Sequence, residues 1–297
     1  MAAGTGAAPA QAVPPPFAGF AHRSPPRLMG ILNVTPDSFS GDGLTDPAAA
    51  IARGRALLAA GAEMLDIGGE STRPGATPVS PEEEMARILP VVRALAREAV
   101  ISVDTRHAAT MRAALAAGAR VINDVTALRY DPEAISVVVA ARCPVILMHM
   151  LGTDPARMQD APAYGDVVAE VTGHLLERAA LLRAAGLPAE CICLDPGIGF
   201  GKTDAHNLAL LAALPDLTAH GYAVMLGASR KSFIGRIAGE PDPTRRLPGS
   251  IAAALAGAAA GVSWLRVHDV AETRQALAIW AAIRASGTHP AGVEKPA

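Results

Sequence analysis

Short apolar runs alternate with longer segments of helical pattern along most of the chain. Eight runs occur, at residues 28–34, 64–67, 100–103, 121–125, 144–148, 191–194, 223–226 and 264–267. The runs are continuously apolar, which is typical of strands buried on both faces in a parallel sheet. The segments between them have helix length and are rich in alanine and leucine, as at 48–60, 81–99 and 166–185. The pattern therefore predicts strands that are each followed by a helix.

Helix boundary signals fit this alternation. Ser80 is a predicted N-cap with Glu83 and Glu84 in the first turn, and glycines such as Gly61 and Gly186 follow predicted helix ends. Eight strand–helix units in about 260 residues predict an α/β fold with a single closed (β/α)8 TIM barrel. An open doubly wound sheet is the alternative, but the glycine fingerprint that would favour it does not follow the first strand.

Composition sets the outline of the domain. The chain has 297 residues, of which 51% are hydrophobic and 18% charged, with a net charge of −2. This balance excludes disorder over most of the length and gives no electrostatic reason to expect nucleic acid or a membrane as partner. We expect a disordered Ala/Pro-rich tail at 1–26, one catalytic domain at 27–287 and a loose tail at 288–297. The apolar stretch at 251–265 is interrupted by glycine and is shorter than the roughly 18 residues of a membrane span. An odd count of three cysteines favours a reducing cytoplasm.

The residues at the predicted strand ends suggest a binding pocket, because a barrel of this kind carries its chemistry there. Asp104, Asn123, Asp195 and Lys231 are the candidates for its base, and lysine is rare here, at three of 26 basic residues. Two acceptor carboxylates, an amide and a donor ammonium would read a flat heterocycle such as a 2-aminopyrimidinone. Donors nearer the rim suit a phosphate or a magnesium-bound pyrophosphate, and they are Asn33, Thr72, Arg73, Arg266 and His268.

Some polar residues keep two interpretations. Asp66 and Asp124 either serve the site or only tie barrel loops together. His149 follows a strand, where a histidine is more often a hydrogen-bonded wall than a ligand contact. The lack of a His/Cys/Glu cluster with metal-ligand spacing argues against a protein-held zinc ion.

Two loop sequences and their order along the chain resemble the dihydropteroate synthase family. Residues 33–40 (NVTPDSFS) and 68–75 (GGESTRPG) are similar to that family's first two loops. Further similar strings follow in the family's order, at 101–105, 122–124, 148–150, 194–202, 229–232 and 266–269. The resemblance covers about residues 27–285. It implies a transferase of folate biosynthesis that condenses 6-hydroxymethyl-7,8-dihydropterin pyrophosphate with p-aminobenzoate, giving 7,8-dihydropteroate and pyrophosphate.

The resemblance also implies roles for single residues. It assigns pterin binding to Asp104, Asn123, Met148, Asp195, Lys231 and Arg266, with Met148 as an apolar wall and Arg266 across the ring. It assigns pyrophosphate binding to Asn33, Thr72, Arg73, Arg266 and His268, with Mg2+ at Asn33. It assigns p-aminobenzoate, where sulfonamides compete, to Phe39, Pro74, Phe200, Ser229 and Lys231. The implied catalytic set is Asp104, Lys231, Asn33, Arg73, Arg266 and His268. A homodimer through the late helices is also implied.

Two other functions are compatible with the same pterin-reading residues. A pterin-binding methyltransferase would need a cobalamin-protein partner, but not the pyrophosphate rim or the string at 229–232. A non-catalytic paralogue would bind pterin without turnover. Such a chain should have lost a residue of the first two loops, and none is lost here.

Overall fold

Eight parallel strands form a closed barrel in the computed structural model, which describes residues 17, 24–35, 46–71, 77–154, 157–159 and 162–286. Each strand pairs with the next, and β8 pairs with β1. The predicted TIM barrel is therefore confirmed. The strands are β1 (Arg27–Asn33), β2 (Met64–Gly68), β3 (Val100–Asp104), β4 (Val121–Asp124), β5 (Val145–Met148), β6 (Ile192–Asp195), β7 (Ala223–Leu226) and β8 (Trp264–Val267).

Helices follow the strands and surround the barrel. Within the described ranges they are α1 (Pro47–Ala60), α2 (Pro81–Leu95), α3 (Ala108–Ala116), α4 (Ala134–Ala140), α5 (Val167–Ala184), α6 (Asp204–Ala212), α7 (Leu214–Thr218), α8 (Ser232–Ala238), α9 (Leu247–Ala259) and α10 (Val270–Ser286). In this part of the chain, no helix combines the length and apolar character needed to cross a membrane.

Local sequence explains where these helices begin and end. The Ser80 hydroxyl accepts a hydrogen bond from the Glu83 amide at 3.2 Å, which confirms the predicted N-cap of α2. Helix α1 ends at Gly61, whose φ of 110° favours glycine. Helix α2 is shorter than predicted and ends at Leu95 rather than near 99.

Side chains alternate between the two faces of each strand. One face packs outward against the helices, as Leu28, Leu65 and Ile101 do. The other face fills the lower barrel with a second apolar cluster, made of Met29, Met64, Val121, Ile146, Cys193, Ala223, Met225 and Trp264. Phe17 belongs to this cluster, is 3% exposed and packs edge-to-face on Trp264 at 6.5 Å between ring centroids. The expectation of a disordered tail over 1–26 did not anticipate this packing.

Candidate active site

Strand register brings the predicted polar residues to one end of the barrel. Asn33 of β1 is level with Gly68 of β2, Gly68 is level with Asp104 of β3, and Asp104 is level with Asn123 of β4. Met148 and Asp195 are paired in the same way on β5 and β6. Residues far apart in sequence are therefore brought together at the carboxyl end of the barrel, where the sequence predicted them.

A buried ion-pair network lies below the pocket. The Arg266 Nε donates to Asp66 Oδ2 at 2.6 Å, and Arg266 Nη2 donates to Asp104 Oδ2 at 3.0 Å. Asp66 is fully buried, and Arg266 retains about a fifth of its side-chain exposure. The sequence left Asp66 open between a site role and a structural one. In the structure, Asp66 holds Arg266, which in turn is bonded to Asp104.

Asp66 also orients Asn123. The amide Nδ2 of Asn123 donates to the same Asp66 Oδ2 at 3.0 Å. The amide Oδ1 is buried without a hydrogen-bond partner among the described residues. A buried acceptor in that state is costly unless a ligand or water donates to it. Asn123 is therefore poised to accept from an N–H group.

Asp195 and Lys231 both form hydrogen bonds with the backbone of the loop after β6. Asp195 Oδ1 accepts from the Gly197 amide at 2.7 Å. Lys231 Nζ donates to the Ile198 carbonyl and lies 4.6 Å from the ring centroid of Phe200.

Burial and unbalanced charge shift the titration of these groups. Burial, with the nearby Asp66 carboxylate, raises the pKa of Asp104 to about 8 against the opposing effect of Arg266. Burial also raises the pKa of Asp195, although Lys231 opposes this. Burial lowers the pKa of Lys231 to about 8, and Asp195 limits the change. In the unliganded protein, Asp104 therefore keeps its proton near pH 7.

The rim residues have more varied positions. His268 is 5% exposed, and its Nδ1 lies 2.9 Å from the hydroxyl of Ser229, so these two predicted residues are paired with each other. Asn33 ends β1 and is half-buried. Phe39, Thr72, Arg73 and Pro74 lie outside the described residues, so their roles stay predictions.

An apolar wall lies beside the polar groups. Met148 is 5% exposed and packs with Val125, Met150 and Met158, and the ring of Phe200 packs against this cluster. The surroundings of Met148 are thus compatible with its predicted role as a wall for a flat ring.

Two other polar residues after strands are structural. Asp124 accepts from the amides of Thr126 and Leu128 at 2.7 and 3.1 Å, which fixes the turn after β4. His149 is 7% exposed, and its Nδ1 lies 2.9 Å from Lys202 Nζ, so it forms a hydrogen-bonded wall. Sequence reasoning missed Lys202, although its rarity as a lysine was a usable signal.

A buried ion pair also escaped the sequence analysis. Arg106 makes two hydrogen bonds to Glu70, at 3.1 and 2.9 Å, and both side chains are largely buried. The Arg106 guanidinium lies 4.2 Å from the ring centroid of Tyr130. The pair joins the chain after β2 to the chain after β3.

Comparisons with known proteins agree with this geometry. The profile of the pterin binding enzyme family matches residues 29–268. Dihydropteroate synthase from Neisseria meningitidis serogroup C is 49% identical over 263 residues, which cover 87% of this chain and 93% of that protein. Dihydropteroate synthase from Escherichia coli K12 is 45% identical over 86% of this chain and 91% of that protein.

Solved structures give the same result. The Xanthomonas albilineans dihydropteroate synthase with 4-aminobenzoic acid is 50% identical, with a TM-score of 0.81 over 88% of this chain and 93% of that one. The Burkholderia cenocepacia enzyme complexed with 7,8-dihydropteroate is 47% identical, with a TM-score of 0.81 over 89% and 93%. These matches favour a synthase over a methyltransferase. The chain therefore belongs to the pterin binding enzyme family, within its dihydropteroate synthases.

Proposed function

We propose that this protein condenses 6-hydroxymethyl-7,8-dihydropterin pyrophosphate with p-aminobenzoate to give 7,8-dihydropteroate and pyrophosphate. The observation that carries the proposal is the convergence of acceptors and donors at one end of the barrel. Asp104, the Asn123 Oδ1 and Asp195 would accept from the amino and ring N–H groups of the pterin, and Lys231 would donate to its carbonyl or ring nitrogen.

Arg266 has the position needed to lie across the pterin ring. Its guanidinium is held by Asp66 and Asp104 on adjacent strands, so its plane is set before the ligand arrives. Met148 would supply an apolar face for the ring. The flat heterocycle would thus be recognised by hydrogen bonds at its edge and held by contacts on its faces.

The pyrophosphate would leave from the CH2 group attached to the pterin ring. We assign Arg266 and His268, together with Thr72 and Arg73, to stabilise the negative charge that develops on it. Asn33 is a suitable Mg2+ contact, because this ion commonly takes one or two protein oxygens while substrate phosphates and water complete its shell. Mg2+ would add further charge neutralisation at the leaving group.

The new bond would form between the CH2 carbon and the arylamine nitrogen of p-aminobenzoate. This amine is neutral near pH 7 and attacks with its lone pair. The ammonium formed is strongly acidic and releases its proton to water or to the departing pyrophosphate, so the site needs no strong general base. The pterin-methyl cation would be stabilised by its conjugated ring and by Asp104, because the positive charge that develops beside Asp104 favours loss of the proton that this group holds in the unliganded protein. We therefore assign a dissociative displacement without a covalent enzyme intermediate, in which Phe200, Ser229 and Lys231, with Phe39 and Pro74, bind the arylamine.

The test is an assay of pyrophosphate release in which each substrate is omitted in turn. We expect release that depends on the pterin substrate, on p-aminobenzoate and on Mg2+. Release without p-aminobenzoate would indicate a hydrolase. Binding of a pterin without any release would indicate a non-catalytic pterin-binding protein.

We also propose that the protein is a cytoplasmic homodimer that associates through its late helices. Large apolar side chains are exposed on α8 and α10, where Ile237, Ile279 and Ile283 are 57, 61 and 65% exposed. The three cysteines are free and buried, which fits a reducing compartment. Sedimentation equilibrium of the full chain should give twice the monomer mass, and an Ile283→Glu variant should shift it towards the monomer.

A further inference from the structure

The loop between β6 and α6 is held by side chains from many parts of the barrel. Each of its residues from 197 to 201 has a backbone polar group bonded to a side chain. The partners are Asp195 for the Gly197 amide, Lys231 for the Ile198 carbonyl, Asn207 and Gln159 for the Gly199 amide and carbonyl, Lys202 for the Phe200 carbonyl and Tyr164 for the Gly201 carbonyl. The loop is thus built as a fixed platform.

Lys202 is the most buried of the charged partners, at 2% exposure. Its Nζ lies 2.9 Å from His149 Nδ1, 3.2 Å from the His149 carbonyl and 3.1 Å from the Phe200 carbonyl. Three acceptors match the three N–H donors of an ammonium group. The side chain therefore ties the end of β5 to the loop that carries Phe200.

Filling this position with a lysine carries the free-energy cost of desolvating its charge. Burial, reinforced by the nearby charge of Lys231, lowers the pKa of Lys202 to about 7. Methionine has similar length and would fill the same space without desolvation of a charge. What only the lysine supplies is the set of hydrogen bonds that fix the loop.

Phe200 depends on that fixation. It lies between Gly199 and Gly201, whose φ angles of 82° and 67° are in the left-handed region. Two flanking glycines leave the backbone around the ring intrinsically permissive. The ring position below Lys231 is therefore set by anchors on the loop, and Lys202 provides the anchor on the carbonyl of Phe200 itself.

We infer that Lys202 is a positioning residue that places the Phe200 ring for the arylamine substrate. The inference rests on the proposed assignment of Phe200 to p-aminobenzoate. The hydrogen bonds of Lys202 go to His149 and to the Phe200 carbonyl, so its loss should weaken arylamine binding while the strand-borne pterin residues keep their places.

The test compares Lys202→Met, Phe200→Leu and the double variant in the full-length protein. The measurements are kcat and KM for p-aminobenzoate, Kd for 6-hydroxymethylpterin by calorimetry, and the melting temperature. We expect Lys202→Met to raise KM for p-aminobenzoate about five-fold, the scale of one lost hydrogen bond, with the pterin Kd changed by less than about two-fold. Because Lys202 acts through Phe200, the double variant should be no worse than Phe200→Leu alone.

Thr218→Val is the matched control for a purely structural loss. Thr218 donates to the Ala260 carbonyl at 3.0 Å, near the start of β8 at the opposite end of the barrel. The Thr218→Val variant should lower the melting temperature without changing the KM for p-aminobenzoate or the Kd for the pterin. If Lys202→Met does not fold, Lys202→Gln replaces it in the same comparison, because glutamine keeps an amide donor.

Three outcomes would overturn the inference. An unchanged KM, additive effects in the double variant, or an equal loss of pterin affinity would show that Lys202 does not act on the arylamine through Phe200. A Phe200→Leu variant with wild-type KM would instead refute the assignment of Phe200 itself, whatever Lys202→Met does.

Discussion

The charges around Asp104 do not balance. One guanidinium, that of Arg266, is shared by the two carboxylates of Asp66 and Asp104. Burial and the Asp66 charge raise the pKa of Asp104 to about 8. In the unliganded protein, Asp104 therefore holds a proton near pH 7 that the unfolded chain has released.

This difference makes the stability depend on pH with a definite sign. Between the ordinary carboxyl pKa of 3.8 and the raised value of about 8, the folded state binds more protons than the unfolded state. The free energy of unfolding due to Asp104 must then fall as the pH rises through this window. The limit is about 1.4 kcal/mol per pH unit. The side chain is 15% exposed and water moderates the effect, so we expect about 2 kcal/mol in total between about pH 5 and pH 8.

An Asp104→Asn variant isolates this contribution. Urea unfolding of the variant and the wild type should give a stability difference, variant minus wild type, that grows with pH by that amount and levels off above about pH 8. Using the difference cancels the other buried groups, such as His149 and Lys202. Asp204→Asn is the control, because the Arg236 partner lowers the pKa of this surface carboxyl and leaves nothing to titrate in the window. A difference that stays flat or shrinks as the pH rises would refute the reasoning.

Three further substitutions test separate parts of the account. Lys231→Ala should reduce pyrophosphate release at least about 100-fold while circular dichroism stays unchanged, because the lysine faces the pocket, and a wild-type rate would contradict its role. Asp195→Asn replaces an acceptor with a donor at one oxygen, so pterin binding should weaken by about 2 kcal/mol in calorimetry, and equal affinity would reject the pocket. Phe17→Ala should destabilise the protein by about 3 kcal/mol, because it removes a buried ring from the barrel floor, and should leave KM for both substrates unchanged. A melting temperature equal to that of the wild type would show that the Phe17 contact does not stabilise the fold.

The strands could be predicted because both of their faces are buried. Strand β2 extends the run predicted at 64–67 by one residue, and β8 coincides with the run at 264–267. Helix ends were harder to locate where no glycine or proline marks them. After Leu95, the residues at 96–99 are still good helix formers, and the helix stops because the chain must turn into β3.

The site was predictable only as far as its residues follow strand ends. Asp66 lies inside β2 among buried apolar neighbours, so its position in the sequence left a site role and a structural role open. Its role comes from facing inward at the level where Arg266 and Asn123 also project. Lys202 was missed for another reason. Two of its hydrogen-bond partners are backbone carbonyls, and a sequence does not indicate such contacts.

The two substrates would depend on different kinds of support. On several strands, a side chain of the apolar cluster in the lower barrel is followed two residues later by a polar side chain of the site. Met64 and Asp66 are such a pair, and so are Trp264 and Arg266. A step of two residues along a strand is about 6–7 Å, so the pterin-reading groups are placed by the barrel itself. Phe200 and Lys231 lie instead on loops, where the barrel fixes only the ends of the segment. A loop residue needs its own anchor to reach comparable precision, and a buried lysine with three acceptors is such an anchor.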